Sequence, residues 1–245
     1  MHLEQTICQL QSMRLAVMAQ SLKTRLSSAD ANGLSHEEFF ALVVQDEFDA
    51  RHSRKLNRMV CQANFKPEQA CIEHISYSPP RGFQKKDIMT FTSPTWINNA
   101  QNVVITGPTG TGKTYIAEAI GLRACHMGYS AVKIRYKMLF ENIDATKGTG
   151  TFLTFLHNLQ KTKVLIIDDF LMDPVSPAQL SDLMEIVEER NQKSPIVITT
   201  QYPTEKWHSL LPDPTVADAV CDRIIHTAIH LNLNGDSMRK KPKNP

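Results

Sequence analysis

The run Gly107-Pro108-Thr109-Gly110-Thr111-Gly112-Lys113-Thr114 has the spacing G-x-x-x-x-G-K-[ST] of a loop that grips phosphate groups. Backbone N–H groups wrap a polyphosphate only where side chains keep clear, and glycine permits both the close approach and the unusual backbone angles. An apolar strand over 102–106 leads into the loop, and an amphipathic helix over 113–127, stopped by Gly128, leads out of it. The helix N-terminus adds partial positive charge behind the phosphates. In that setting Lys113 is placed for the β- and γ-phosphate oxygens, and the Thr114 hydroxyl for Mg²⁺. Those loop residues, with Tyr115 beside them, are the candidate nucleotide contacts.

A second constellation follows at Val164-Leu165-Ile166-Ile167-Asp168-Asp169, an apolar strand ending in two carboxylates. Beside a phosphate loop, Asp168 is the natural Mg²⁺ partner and Asp169 is placed to orient or activate the attacking water. The metal offsets the repulsion between adjacent carboxylates. The strand 195–201 turns polar at its C-terminal end, where open parallel sheets bind ligands. Thr200 and Gln201 there either reach the γ-phosphate or the attacking water, or cap the strand end; both readings stand. In a helix from Thr215, residues Ala217, Val220, Cys221, Ile224 and Ile225 form the apolar face and leave Asp222 and Arg223 pointing away. An arginine there is a surface charge unless it is presented to a neighbour's nucleotide, where it stabilises the charge that develops during hydrolysis.

These residues need a scaffold, and the chain supplies alternating strands and helices. Strands are predicted over 102–106, 131–136, 164–167, 196–199 and 229–233, with helices between them, one starting at the cap Ser176-Pro177-x-Gln179. Strands alternating with helices make an α/β fold with a parallel sheet covered on both faces. Before it, apolar residues from Leu3 to Leu26 recur at helical spacing, and Ser35 with Glu38 caps a second helix running towards Met59. Prolines and the basic cluster Arg81, Lys85 and Lys86 make 76–101 a linker. The expected organisation is a helical domain over 1–75, that linker, and a nucleotide-binding core over 102–245.

Composition agrees with a globular protein. Of 245 residues, 42% are apolar and 21% charged, with 10 Gly and 13 Pro, which excludes collagen-like and low-complexity chains. No apolar run is long enough to span a bilayer, and residues 1–26 lack a signal-peptide pattern, so no membrane is involved and a cytoplasmic address is expected. The odd, scattered cysteines are read as reduced and mostly buried. A net charge of +2 supplies no global field for nucleic acid, so any such binding must use local patches.

Taken together, GPTGTGKT, VLIIDDF, ITTQYP, DPTVADAVCDRIIH and GDSMRK resemble the IstB helper ATPases of insertion-sequence transposons, members of the AAA+ class related to the helicase loader DnaC and the initiator DnaA. The amino-terminal LQSMRLAVMAQSL and LSHEEFFALVVQDEFDAR resemble that family's helical domain. The resemblance implies an AAA+ P-loop fold with a vestigial lid. It also implies a DNA-binding ATPase, using ATP and Mg²⁺, that assembles as a homo-oligomer with ATP at subunit interfaces. Its partners would be double-stranded DNA and a transposase. Residue by residue, Lys113 and Thr114 are loop contacts, Asp168 and Asp169 the Walker B pair, and Gln201 the polar sensor. Arg223 matches the trans-acting arginine finger and Arg239 the second sensor. Asp169 stands where most AAA+ ATPases have Glu, one methylene shorter.

Other groups weigh less. Lys133, Arg135, Lys137 and Lys147 form a solvated face or, given the resemblance, contact DNA phosphates. Arg51, Lys55 and Arg58 share a helix face, read as solvated and balanced by Glu47 and Asp49. His226 and His230 lack partners for a metal pair, and Trp96 reads as a packing anchor. Two other functions remain: an ATP-dependent scaffold or helicase-loader-type protein with little turnover, and a small-molecule kinase, which the later arginines disfavour.

Overall fold

The computed structural model describes residues 3–27, 33–66, 70–78 and 81–238. These divide into two compact units, 1–58 and 59–245.

The first unit contains α1 (Leu3–Ser12), α2 (Ala16–Ser27) and most of α3 (His36–Gln62). The amino-terminal periodicity reads as one helix, but Arg14 takes a left-handed backbone (φ 60°) and divides it. The apolar spacing resumes after this step, which no glycine announces. Ser35 and Glu38 exchange the reciprocal capping bonds the spacing predicts (2.8 and 3.2 Å). Glu47 is buried, accepting from Arg51 Nε (2.8 Å) and from the Met18 amide (2.9 Å), and these bonds hold its carboxyl below the usual range. Arg51 itself stays exposed, balanced by Glu47 as expected.

The second unit is built on a parallel sheet in the order β2-β3-β4-β1-β5. Its strands are β1 (Val103–Thr106), β2 (Ala131–Arg135), β3 (Val164–Phe170), β4 (Ile196–Thr200) and β5 (Ile229–Asn232). Between them run α6 (Lys113–His126), α7 (Tyr136–Gly148), α8 (Phe152–Lys161), α9 (Pro177–Arg190), α10 (Trp207–Leu210) and α11 (Pro214–Ile225). Period-two alternation sends Val104, Leu165, Ile167 and Ile198 into one core with Leu139, Leu183, Trp207 and Val220. Ile166, on the other face, lies against Gly121 of α6, where a Cβ would meet its methyl group and the Phe65 ring. Ser176 caps α9 through a bond from Gln179 N (3.2 Å).

The stretch expected as a linker is packed. It forms α4 (Lys85–Met89) and α5 (Thr95–Asn98), and Ile88, Phe91, Trp96 and Ile97 are fully buried. The prolines and exposed Lys85 and Lys86 suggested an open connection, whereas the apolar residues spaced among them dock on the core. Trp96 is the anchor expected, edge-on to Phe91 at 5.5 Å. The two compact units are divided at 58/59, within α3. The thiols correct another expectation: only Cys125 is buried, while Cys8 and Cys61 are exposed. Among the described residues no helix is long and apolar enough to cross a membrane.

At the foot of the sheet Arg190 is 2% exposed and donates to four carbonyls, Leu159 and Thr162 (2.7 and 2.9 Å) and Lys163 and Pro195 (2.9 and 3.0 Å). Burial pushes its pKa down to about 10. One guanidinium therefore fixes the end of α8 and the starts of β3 and β4. Arg190→Met should leave these carbonyls unsatisfied and cost about 2–4 kcal/mol. Urea unfolding of the variant should show a lowered midpoint, and an unchanged midpoint would refute this role.

Candidate nucleotide site

The phosphate loop leaves β1 at Thr106 and enters α6 at Lys113. Gly112, at the head of that helix, is left-handed (φ 90°), and Gly110 takes φ 86°, with Ser237 where its Cβ would be. Side chains at these two positions would strain the backbone and push the neighbouring segment away. Lys113 Nζ folds across the loop onto the carbonyls of Gly107 (2.8 Å) and Pro108 (3.0 Å), a pose that keeps a buried ammonium at the cradle.

Strand order completes the site. Because β4 lies between β1 and β3, its C-terminal end separates the loop from the two carboxylates. Asp168 is 3% exposed, and its Oδ1 accepts from Thr114 Oγ1 (2.9 Å) and Thr199 Oγ1 (2.5 Å). Thr199 is a positioning residue the sequence reading missed; a hydroxyl in an otherwise apolar buried strand was its signal. Its oxygen also accepts from the Asp169 amide (3.1 Å). Asp169 sits at an irregularity in the β3–β4 register with φ 57°, so this backbone kink sets the direction of its side chain. Asp169 and Gln201 line one cavity of about 390 Å³ with Lys113, Thr114, Asp168 and Tyr115. Thr200 does not join them: it is fully buried and donates to Phe170 O (2.8 Å), which leaves the strand-tie reading for that residue. Tyr115 turns its hydroxyl to the Cys71 amide (3.3 Å).

The donor set fits a magnesium nucleotide. One carboxylate and one hydroxyl leave coordination positions to phosphate oxygens and water, the usual arrangement for Mg²⁺. Among the described residues no three His, Cys, Asp or Glu side chains cluster as a metal site of their own. A second hollow, of about 440 Å³, includes Thr106, Glu205 and His230 and contains neither the loop nor the paired carboxylates.

Arg223 lies elsewhere. Asn102, just before β1, donates to the carbonyls of Arg223 (2.9 Å) and Ile224 (3.2 Å), which puts the backbone of this arginine at the N-terminal end of β1, the end opposite the phosphate loop. Its guanidinium pairs with Glu188 and donates to Ala219 O (3.1 Å). Arg239 falls outside the described residues, but Met238 N bonds Gly110 O (2.9 Å), so the chain just before it touches the loop. Of the candidate DNA contacts, Lys133 is paired with Glu118 inside the nucleotide cavity, and Lys147 with Asp182 (2.6 Å). Arg135 and Lys137 are exposed where β2 passes into α7.

A loop between β1 and α6, carboxylates ending β3, and an intervening strand with a polar end define a P-loop NTPase fold. Two solved structures share the fold: that of DnaI (TM-score 0.61, 18% identity, 70% of this chain and 96% of that one) and that of the DnaC helicase loader (0.57, 19%, 67% and 97%). An insertion sequence ATP-binding protein of Sinorhizobium fredii strain NGR234, y4pL, is 32% identical over 238 residues, 97% of each chain. The sequence model of the IstB-like ATP binding protein family matches residues 8–245, and the chain belongs to that family.

Proposed function

We propose that the protein is an ATP-dependent, DNA-binding ATPase that assembles on target DNA and recruits or stimulates a transposase. The observation that carries this reading is the convergence of Lys113, Thr114 and Asp168 on one cavity while Arg223 lies by the opposite end of β1. The family and an insertion-sequence relative that matches across nearly the full chain support the transposition context.

In the proposed reaction the loop amides and Lys113 bind the β- and γ-phosphates, and Thr114 and Asp168 hold Mg²⁺. The metal neutralises charge on the phosphate oxygens when bound. Asp169 orients the attacking water, Gln201 lies beside the γ-phosphate, and Arg223 of one protomer reaches the nucleotide of the next. ATP binding therefore favours the oligomer, and hydrolysis releases it. Of the four basic candidates, Lys137 is exposed outside the nucleotide cavity and is assigned to DNA phosphates, whereas Arg135 is exposed but also lines that cavity. Arg239 is assigned to the nucleotide as second sensor. A cytoplasmic location belongs to the same proposal.

The test is phosphate release from ATP with and without double-stranded DNA, beside the same assay on Asp169→Asn. DNA-stimulated turnover that the variant loses is the expected result. Equal, negligible turnover in both proteins would replace the ATPase by an ATP-dependent scaffold, the reading that the short Asp169 side chain favours.

A further inference from the structure

Arg81 was read as one of several linker charges, yet it is 6% exposed. Its guanidinium donates to the carbonyls of Ser76 (3.0 Å) and Thr111, the latter inside the phosphate loop, and lies 5.4 Å from the centre of the Phe83 ring. No described carboxylate pairs with it. Its own carbonyl accepts from Asn234 N (2.8 Å), so its backbone is tied to the strand exit beyond β5. Gly112 leaves room for it, since a Cβ there would lie 3.0 Å from Nη2. A buried cation held, among the described residues, by carbonyls and a ring is costly unless a counter-charge arrives.

The loop itself shows where that charge arrives. Thr111 C=O and Gly112 N–H belong to one planar trans peptide, so they point in opposite directions. With Arg81 on the oxygen side, the N–H is directed away from it, and Gly112 lines the cavity proposed for the phosphates. A cation on the oxygen polarises the peptide and strengthens the hydrogen bond its N–H donates.

We infer that Arg81 is a positioning residue of the nucleotide site: through the Thr111–Gly112 peptide its charge strengthens the loop's grip on a nucleoside di- or triphosphate. It does so without touching the ligand. This rests on the nucleotide-binding reading above. Burial lowers the guanidinium pKa, in keeping with the missing counter-charge.

The test is calorimetric titration of the full chain with MgADP, comparing the unaltered protein, Arg81→Gln and Arg81→Lys. Glutamine keeps hydrogen-bond donors without charge, and lysine keeps the charge. Glutamine should weaken binding about tenfold while lysine stays within about threefold. Equal affinity in all three, or equal loss in both variants, would overturn the inference and leave nucleotide binding standing. Failure of the unaltered chain to bind would overturn both. Should Arg81→Gln not melt cooperatively, Arg81→Lys alone decides. In the same buried place a lysine, whose ordinary pKa of about 10.4 lies about two units or more below that of arginine, gives up its charge first, over about pH 8–11. ADP affinity of the lysine protein should then fall more steeply over that range than that of the unaltered protein, and parallel pH profiles would refute the role.

Discussion

Lys113→Ala is expected to lower ATP hydrolysis by about 10²–10³-fold, the usual effect of deleting one preorganised cationic or hydrogen-bonding group aimed at transition-state charge. The side chain is 7% exposed and folds onto the Gly107 and Pro108 carbonyls, so the ammonium is fixed before ligand arrives. Alanine loses both this internal strut and the charge facing the β- and γ-phosphates. Binding of ATP should weaken as well, though less than turnover falls, because the lysine would contact the ground-state phosphates too while acting most strongly on the transition state. Phosphate release and titration calorimetry on the same preparation would measure both effects. A variant that turns over at the normal rate would remove the loop from the chemistry.

Arg223→Ala should lower hydrolysis by about 10³-fold or more and leave ATP affinity nearly unchanged, as an arginine supplied across an interface acts mainly on the transition state. The position of Arg223 motivates this split, since its backbone is held where β1 begins and the phosphate loop leaves where β1 ends. Mixing provides a sharper check. Lys113→Ala protein has an intact arginine and Arg223→Ala protein an intact loop, so an equimolar mixture should recover activity that neither has alone. A mixture as inactive as its components would mean that arginine and loop do not meet between subunits. The Glu188 contact adds a condition: the arginine must leave this carboxylate to reach a neighbour.

What could be read from the sequence was set by local spacing. The phosphate loop, the carboxylates ending β3 and the Ser176 cap each lie within a few adjacent residues, and the structure gathers the first two around one cavity. The alternation of strand and helix likewise anticipated the parallel sheet. What stayed hidden depends on partners far along the chain. Thr199 matters because β4 is inserted beside Asp168, 31 residues away. Lys133 looked like a free surface charge until α6 placed Glu118 against it. Arg81 sat among prolines that suggested an open linker, and only the folded loop 30 residues on shows what it holds. Proline content records where the backbone bends, not whether the intervening apolar side chains are buried.

The separation of Arg223 and the phosphate loop to opposite ends of β1, and so to different edges of the subunit, also constrains how copies associate. A two-fold pair joins one patch to its equivalent, so it cannot join two different edges reciprocally. If the arginine serves a neighbouring site, each subunit must give with one edge and receive with the other. Growth is then head-to-tail and directional, ending only when a ring closes or the track beneath it runs out. Every open array would carry one terminal nucleotide without a donor and one terminal arginine without an acceptor, so its two ends would differ chemically and could recruit different partners.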